Sequence, residues 1–342
     1  MAARMIKSIP LDELGDRVER ALADRYEAAR ISDLEQLLGG TSSLTYKAAV
    51  NGVPGSARVV VKVAPPGLEP TRNRDVLRQA RLFDQVQDID GLAVPAVLAQ
   101  DAGAPPEVPP LFVMTFAEGD SFEPLQAPPG EAGPVGDDQI RSRGLAAARM
   151  LAALHSVDVA KLDLGPETVV TPEGELDRWA RVLATADDDL RPAKAQECEQ
   201  RLREHIPAPM DVAIVHGDFR LGNLLSEGPS IRAVIDWEIW SLGDPRIDLA
   251  WMLAMSDPSR PGALRTESAL PTVAELRAGY EAAAGAELAD FGWFEALVRF
   301  KMATTSAMVA KNGRRQEKPN PRTEEIGSHI PALVDWALSA VQ

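Results

Sequence analysis

One stretch of this chain sets oxygen-bearing side chains at spacings that suit a defined chemistry. An apolar β-type run, Val212-Ala213-Ile214-Val215, ends at His216-Gly217-Asp218, so Asp218 emerges where a strand gives way to a loop. Asn223 follows just ahead of the short run Leu224-Leu225. Glu227-Gly228-Pro229-Ser230 is turn chemistry, and a return strand over 231–235 delivers Asp236 back beside Asn223. A carboxylate at a strand end can accept a proton from an attacking hydroxyl, or orient it. An amide oxygen and a second carboxylate are hard ligands for Mg²⁺, which keeps waters and bridges nucleotide phosphates. The set suits phosphoryl transfer.

Other residues fit the same chemistry less specifically. Lys62 lies in Val59-Val60-Val61-Lys62-Val63, an apolar strand in which an unpaired charge is costly to bury. Taken alone, an edge-strand lysine that discourages aggregation explains it equally well. Gly39-Gly40-Thr41-Ser42-Ser43 joins two strand-like runs, and small residues there expose backbone N–H groups to close approach by phosphates. Neither GxxxxGK[ST] nor GxGxxG occurs. Downstream, Asp244 reads as a helix cap with Pro245 in the first turn, and Asp248 as structural support for the Asp218 loop.

The elements that must hold these residues follow from periodicity. An amphipathic helix is expected over 11–29 and strands over 34–38, 44–50, 58–64, 95–101 and 111–116, with Asn51-Gly52 as a hairpin turn. A charged helix covers 75–87, and a Pro/Gly-rich stretch at 123–137 interrupts the pattern. Beyond it, helices are expected over 139–157, 193–205, 247–255, 272–284, 291–313 and 326–341, with a β-rich island at 212–237. The fold class is therefore α+β, a small antiparallel sheet with a helix followed by a larger, mainly helical part.

Composition narrows the function. The 342 residues carry 36 Lys and Arg against 51 Asp and Glu, a net charge of −15, which argues against nucleic acid or an anionic membrane as partner. A lone cysteine, Cys198, permits no internal disulfide and no multi-cysteine metal site, and the four histidines are scattered. No apolar run reaches the roughly 18 residues of a membrane span, and the first residues lack a signal core, so a cytoplasmic protein is expected.

His-Gly-Asp-x4-Asn followed by Ile-Asp-Trp-Glu resembles the aminoglycoside phosphotransferase family, relatives of the protein kinases, whose catalytic loop has the same Asp-to-Asn spacing. Gly243-Asp244-Pro245 and Asp248-Leu249-Ala250 add to the likeness. The resemblance implies a two-lobed kinase-like fold, with a nucleotide-binding lobe over 1–117 and a catalytic and substrate-binding lobe over 118–342. It implies Asp218 as catalytic base, Asn223 and Asp236 as Mg²⁺ ligands, and Lys62 on the α- and β-phosphates of ATP, with GTP as the alternative. Gly40, Thr41, Ser42 and Ser43 become the nucleotide-covering loop, and the Thr115 carbonyl and Ala117 amide meet the adenine edge.

The sequence departs from the family where a helix glutamate normally pairs with the strand lysine: Gln79 stands there, with Asp75 one turn earlier as a substitute. That departure is the sole support for a second reading, a nucleotide-binding pseudokinase. The implied activity is transfer of the γ-phosphate of ATP to a hydroxyl of a small molecule. An acidic run (Asp187, Asp188, Asp189, with Glu197 and Glu199) favours a cationic acceptor, though a solvated helix end explains it more simply. A basic patch (Lys311, Arg314, Arg315, Lys318, Arg322) favours an anionic one such as a hydroxyacyl-CoA. Oligomeric state is left open.

Overall fold

The computed structural model describes residues 9–37, 42–128, 130–316 and 321–341. Helix α1 (Leu11–Ala23) precedes strands β1 (Arg30–Leu37), β2 (Leu44–Asn51) and β3 (Arg58–Val63). Helix α2 (Val76–Val86) follows, then β4 (Val97–Asp101) and β5 (Leu111–Thr115). The five strands form one antiparallel sheet in the order β1-β2-β3-β5-β4.

Strand alternation decides which side chains reach the site. On β3, Val59, Val61 and Val63 are fully buried and pack with Leu111 and Val113 of β5 against Leu14, Val18 and Leu22 of α1. The opposite parity, Val60 and Lys62 with Phe112 and Met114, faces α2 and the rest of the chain. Lys62 is thus aimed away from the α1 core by the same register that buries its valine neighbours. Helix α1 is fastened further by Arg17, which donates to Asp101 at 2.7 Å and to the Pro109 carbonyl at 2.9 Å.

The second part holds α3 (Asp137–His155), β6 (Val169–Val170), α4 (Pro172–Ala184), α5 (Lys194–Glu204), β7 (Ala213–Val215), the hairpin β8 (Leu224–Glu227) and β9 (Ser230–Val234), and β10 (Ser241–Gly243). Helices α6 (Arg246–Met255), α7 (Val273–Ala284), α8 (Phe291–Arg314), α9 (Pro321–Ser328) and α10 (Ile330–Leu338) complete it. Its core runs without a break into the α2 face of the sheet. The link between the two parts docks on the hairpin: Asp120 and Ser226 exchange backbone hydrogen bonds of 2.9 Å. Gly119, at φ 138°, makes this approach possible, because a Cβ there would lie 2.8 Å from the Ser226 backbone. Among the described residues no helix is long and apolar enough to cross a membrane.

Three expectations need correction. The opening helix ends at Ala23, and Arg30 already begins β1, because the chain must turn back onto the sheet. The expected helix over 326–341 is two, with the break before Pro331, which enters α10 in its first turn where its missing N–H costs nothing. Helix α4 is an addition, opened by Thr171, whose hydroxyl accepts from the Gly174 N–H at 3.1 Å.

Because α1 closes one face of the sheet, Leu14→Ala is expected to cost about 2–4 kcal/mol of unfolding free energy. Urea denaturation measures this, and an unchanged midpoint would mean that α1 is not part of the cooperative unit.

Candidate active site

The hairpin register assembles the site. Leu224 pairs with Val234, and the Ile235 N–H donates to the Asn223 carbonyl at 2.9 Å, so Asp236 lies just past the position opposite Asn223. Asp236 is in the left-handed region (φ 66°, ψ 48°), which turns its side chain out of the strand path. Burial, and then the neighbouring Glu238 charge, raise its proton affinity, while Lys62 acts the other way.

Asp218 is held by three donors. The Trp251 indole N–H donates to Oδ1 at 2.7 Å, and Asn223 Nδ2 (2.9 Å) and Arg220 Nε (3.3 Å) donate to Oδ2. A carboxylate offers about four acceptor positions, so capacity remains for a substrate hydroxyl. The Asn223 amide nitrogen also donates to the Asp218 carbonyl, which leaves its amide oxygen as the atom available to a cation.

The loop itself is gripped from behind. Asp248, fully buried on α6, accepts from the backbone N–H groups of His216 (2.5 Å) and Gly217 (2.8 Å). Burial opposes its charge, but the His155 ring, 3.4 Å away, and the His216 contacts outweigh it, so its carboxyl is held below the ordinary carboxylate range. The role expected for Asp248, support of the loop, matches these bonds. Asp244 bonds the Arg246 N–H at the start of α6, as a cap would, and also pairs with the Arg246 guanidinium at 2.7 Å. His216 donates from Nε2 to the Ile235 carbonyl (3.0 Å) while Nδ1 accepts the Asp218 N–H (3.2 Å). That pattern requires the neutral ring, and burial lowers its pKa accordingly.

Lys62 faces the same cleft. Its Nζ lies 3.4 Å from Gln79 Oε1 and 3.7 Å from Glu238 Oε1, and Ser43 donates to that Glu238 oxygen at 3.0 Å. The carboxylate partner of the lysine therefore comes from Glu238, two residues past Asp236, not from α2. Asp75 is occupied elsewhere: it caps α2 by accepting the Arg78 N–H. The cleft has a volume of about 580 Å³. Lys62, Gln79, Thr115, Ala117, Asn223, Asp236 and Glu238 line it, with Val60, Met114 and Leu225 as apolar walls. Asp218 stands behind Asn223 and is not itself a lining residue. Of the expected covering loop, Ser43 is buried against Glu238 and Ser42 is half-buried, whereas Gly40 and Thr41 lie outside the described residues.

Sequence reasoning missed three participants. Glu238 was legible only as the residue after Asp-Trp. Trp251 sits three residues after Asp248, on the same face of α6. Lys301 is a lysine inside the apolar run of α8. It is buried, donates to the Gly217 carbonyl at 2.5 Å and stands 4.1 Å from the centre of the Trp251 ring. The two surface patches, by contrast, lie away from the cleft. Arg314 pairs with Asp189 (2.9 Å) and Glu324 (2.9 Å), Glu197 with Arg201 and Glu199 with Arg203, and none of these lines the cleft. Lys318 lies outside the described residues.

A two-part molecule with a five-stranded sheet, a lysine on its third strand and an Asp-x4-Asn loop beneath is the protein-kinase-like fold. The model of the phosphotransferase enzyme family matches residues 33–297, and the chain belongs to that family. Mouse acyl-CoA dehydrogenase family member 10 is 25% identical over 98% of the chain and 31% of its own length. The chain spans about a third of the length of the first curated relatives it matches. A Ralstonia eutropha structure, provisionally assigned as an aminoglycoside phosphotransferase, has a TM-score of 0.73 at 21% identity, covering 95% of this chain and 97% of that one. Aminoglycoside phosphotransferase APH(4)-Ia, solved as a thermostable mutant with AMP-PNP and hygromycin B, has a TM-score of 0.62 at 18% identity, with coverages of 93% and 98%.

Asp248→Asn is expected to lower stability at pH 7 by about 2–4 kcal/mol, since one amide cannot accept from both N–H groups and the ring. The wild-type advantage is present above the unfolded carboxyl value near ~4 and is lost as pH falls through the lower folded value. Urea midpoints from pH 7 to pH 3 should converge, and a constant difference would refute the assignment.

Proposed function

We propose that the protein transfers the γ-phosphoryl group of ATP to a hydroxyl of a small molecule. The observation that carries this reading is the convergence of Lys62, Asn223 and Asp236 on one cleft with Asp218 immediately behind. Residues 1–117 would carry the nucleotide, and 118–342 the reacting loop and the acceptor. Val60 and Met114 above and Leu225 below suit the flat faces of a purine, with the Thr115 carbonyl and Ala117 amide at its edge and Ser43 at the base of the covering loop.

In the reaction the acceptor oxygen bonds to the γ-phosphorus as the bond from phosphorus to the β–γ bridging oxygen breaks. The hydroxyl proton passes to Asp218, and ADP leaves with the bridging oxygen. Lys62 compensates phosphate charge, and its orientation is kept by Glu238 and Gln79. The Asn223 amide oxygen and the Asp236 carboxylate are hard oxygen donors that would hold Mg²⁺, and the ion would supply charge neutralisation there. Most of the catalysis is positioning.

The pseudokinase reading rested on Gln79, and Glu238 supplies the charge that Gln79 lacks. A hydroxyl acceptor carried on an acyl-CoA is a second reading, favoured by the match of nearly the whole chain to an acyl-CoA dehydrogenase family relative.

Calorimetric titration with ATP or GTP, with and without Mg²⁺, tests the site. Asp236→Asn should lose the Mg²⁺-dependent part of binding, at least about tenfold. Asp218→Asn should bind MgATP within about threefold of wild type while turnover falls about 10²–10⁴-fold. Binding that ignores both Mg²⁺ and Asp236→Asn would dismiss the metal assignment, and unchanged turnover in Asp218→Asn would dismiss the base. A second comparison separates the partners of Lys62: Glu238→Gln should weaken MgATP binding about tenfold and Gln79→Ala less, and the reverse order would return the orienting role to α2.

A further inference from the structure

Lys301, on α8, is 3% exposed, yet among the described residues no carboxylate forms an ion pair with it. Other enclosed cations are built differently. Arg17 pairs with Asp101, Arg143 with Asp120 and Arg246 with Asp244, and Lys62 faces Glu238. A methionine would fill nearly the same space without burying a charge, so the ammonium has a use beyond packing.

Three groups receive it. Its Nζ donates to the Gly217 carbonyl at 2.5 Å, and it stands 4.1 Å from the centre of the Trp251 ring and 5.3 Å from that of Trp179. Both distances are within reach of the attraction between a cation and an indole face, which strengthens away from water. Burial pushes the ammonium below the ordinary lysine value, while Glu175, Asp218 and Asp248 act the other way from a distance.

The N–H groups of the two rings go to different places. Trp179 donates to Glu175 on its own helix at 2.6 Å, and Trp251 donates to Asp218 Oδ1 at 2.7 Å. Gly217 directly precedes Asp218. One ammonium therefore holds both the carbonyl on the backbone side of Asp218 and the ring that holds its side chain. An indole N–H points along the plane of its ring, so a ring that tilts loses its bond to Oδ1. A charge over the face resists that tilt, because the attraction is to the face and not to the edge.

We propose that Lys301 is a positioning residue for Asp218: held between the Gly217 carbonyl and the Trp251 face, it keeps the indole N–H on Oδ1 and the carboxylate in one orientation. That the carboxylate so held is the base rests on the phosphotransferase reading. The hold itself stands on the three contacts.

The test reads the indole directly and needs neither nucleotide nor acceptor. The full chain is labelled with ¹⁵N-tryptophan, and solvent exchange of the six indole N–H groups is followed by NMR, with Trp251→Phe assigning the Trp251 signal. In Lys301→Met the Trp251 N–H should exchange at least about tenfold faster than in wild type. The Trp293 N–H, which donates to the Leu202 carbonyl, should keep its rate within about twofold. Lys301→Gln, which can donate to Gly217 but carries no charge, should also raise Trp251 exchange at least about tenfold, and it serves if the methionine variant does not fold. Unchanged Trp251 exchange in a folded variant would overturn the proposal. So would an equal rise at Trp293, which would mean that Lys301 stabilises the fold without favouring Asp218. Failure of the phosphotransferase reading would appear instead in the MgATP titrations, which share no measurement with this one.

Discussion

The Asp248 carboxylate is the contact on which the rest of the site depends. A loop leaving a strand normally exposes its first N–H groups to water; here two consecutive ones, on His216 and Gly217, are buried and need acceptors. One carboxylate supplies both. Gly217 then turns at φ 87°, where a Cβ would strike Ile239, and its carbonyl is taken by the buried Lys301. The His216 ring ties the loop to the Ile235 carbonyl at the end of β9. The two residues before Asp218 are therefore held from α6, from α8 and from the end of β9, and the Asp218 side chain inherits that rigidity. Trp251, one turn after Asp248 on α6, completes the hold by donating to Asp218 itself. One helix thus fixes both the backbone and the side chain of the loop.

The Lys62 pair shows how the two parts of the molecule share one electrostatic unit. A helix glutamate would pair the strand lysine within the N-terminal part. Glu238 instead approaches from the segment that follows Asp236, and Ser43, just before β2, bonds the same carboxylate. The lysine, its counter-ion and Ser43 are thereby fixed across the cleft. Helix α2 is left without that duty and is fastened by other means: Arg78 pairs with Glu167, donates to the Trp240 carbonyl and lies 3.9 Å from the centre of the Trp240 ring. Helix α2 is thus fastened by contacts that do not involve Lys62.

Legibility followed physical range. Strands β3 and β5 were readable as short apolar runs because both faces of the sheet are covered there, by α1 on one side and α2 on the other. The Asp218, Asn223 and Asp236 cluster was readable because one hairpin brings it together. Helix α4 was missed although Thr171 and Pro172 signal its start, because Gly174 in the first turn masks the pattern. Glu238 as counter-ion, Lys301 as anchor and Trp251 as donor depend on contacts between elements far apart in sequence, which periodicity cannot register. Lys301 left little local trace either, because Glu295 and Arg299 stand in the same part of α8.

The same distinction governs what can be said of the acceptor. A net charge of −15 and two visible charge runs invite a choice between cationic and anionic partners. On the surface several of those charges pair with one another, in turn-spaced pairs such as Glu197 with Arg201 and in the bond of Arg314 to Asp189. Exposed pairs of this kind are worth little and recruit nothing specific. An interior charge is different, because water cannot compensate it. Arg17, Arg78, Arg143 and Arg246 each meet a carboxylate inside the protein. Their partners are supplied by the fold itself, so neither the paired surface nor these paired interior charges identify the acceptor.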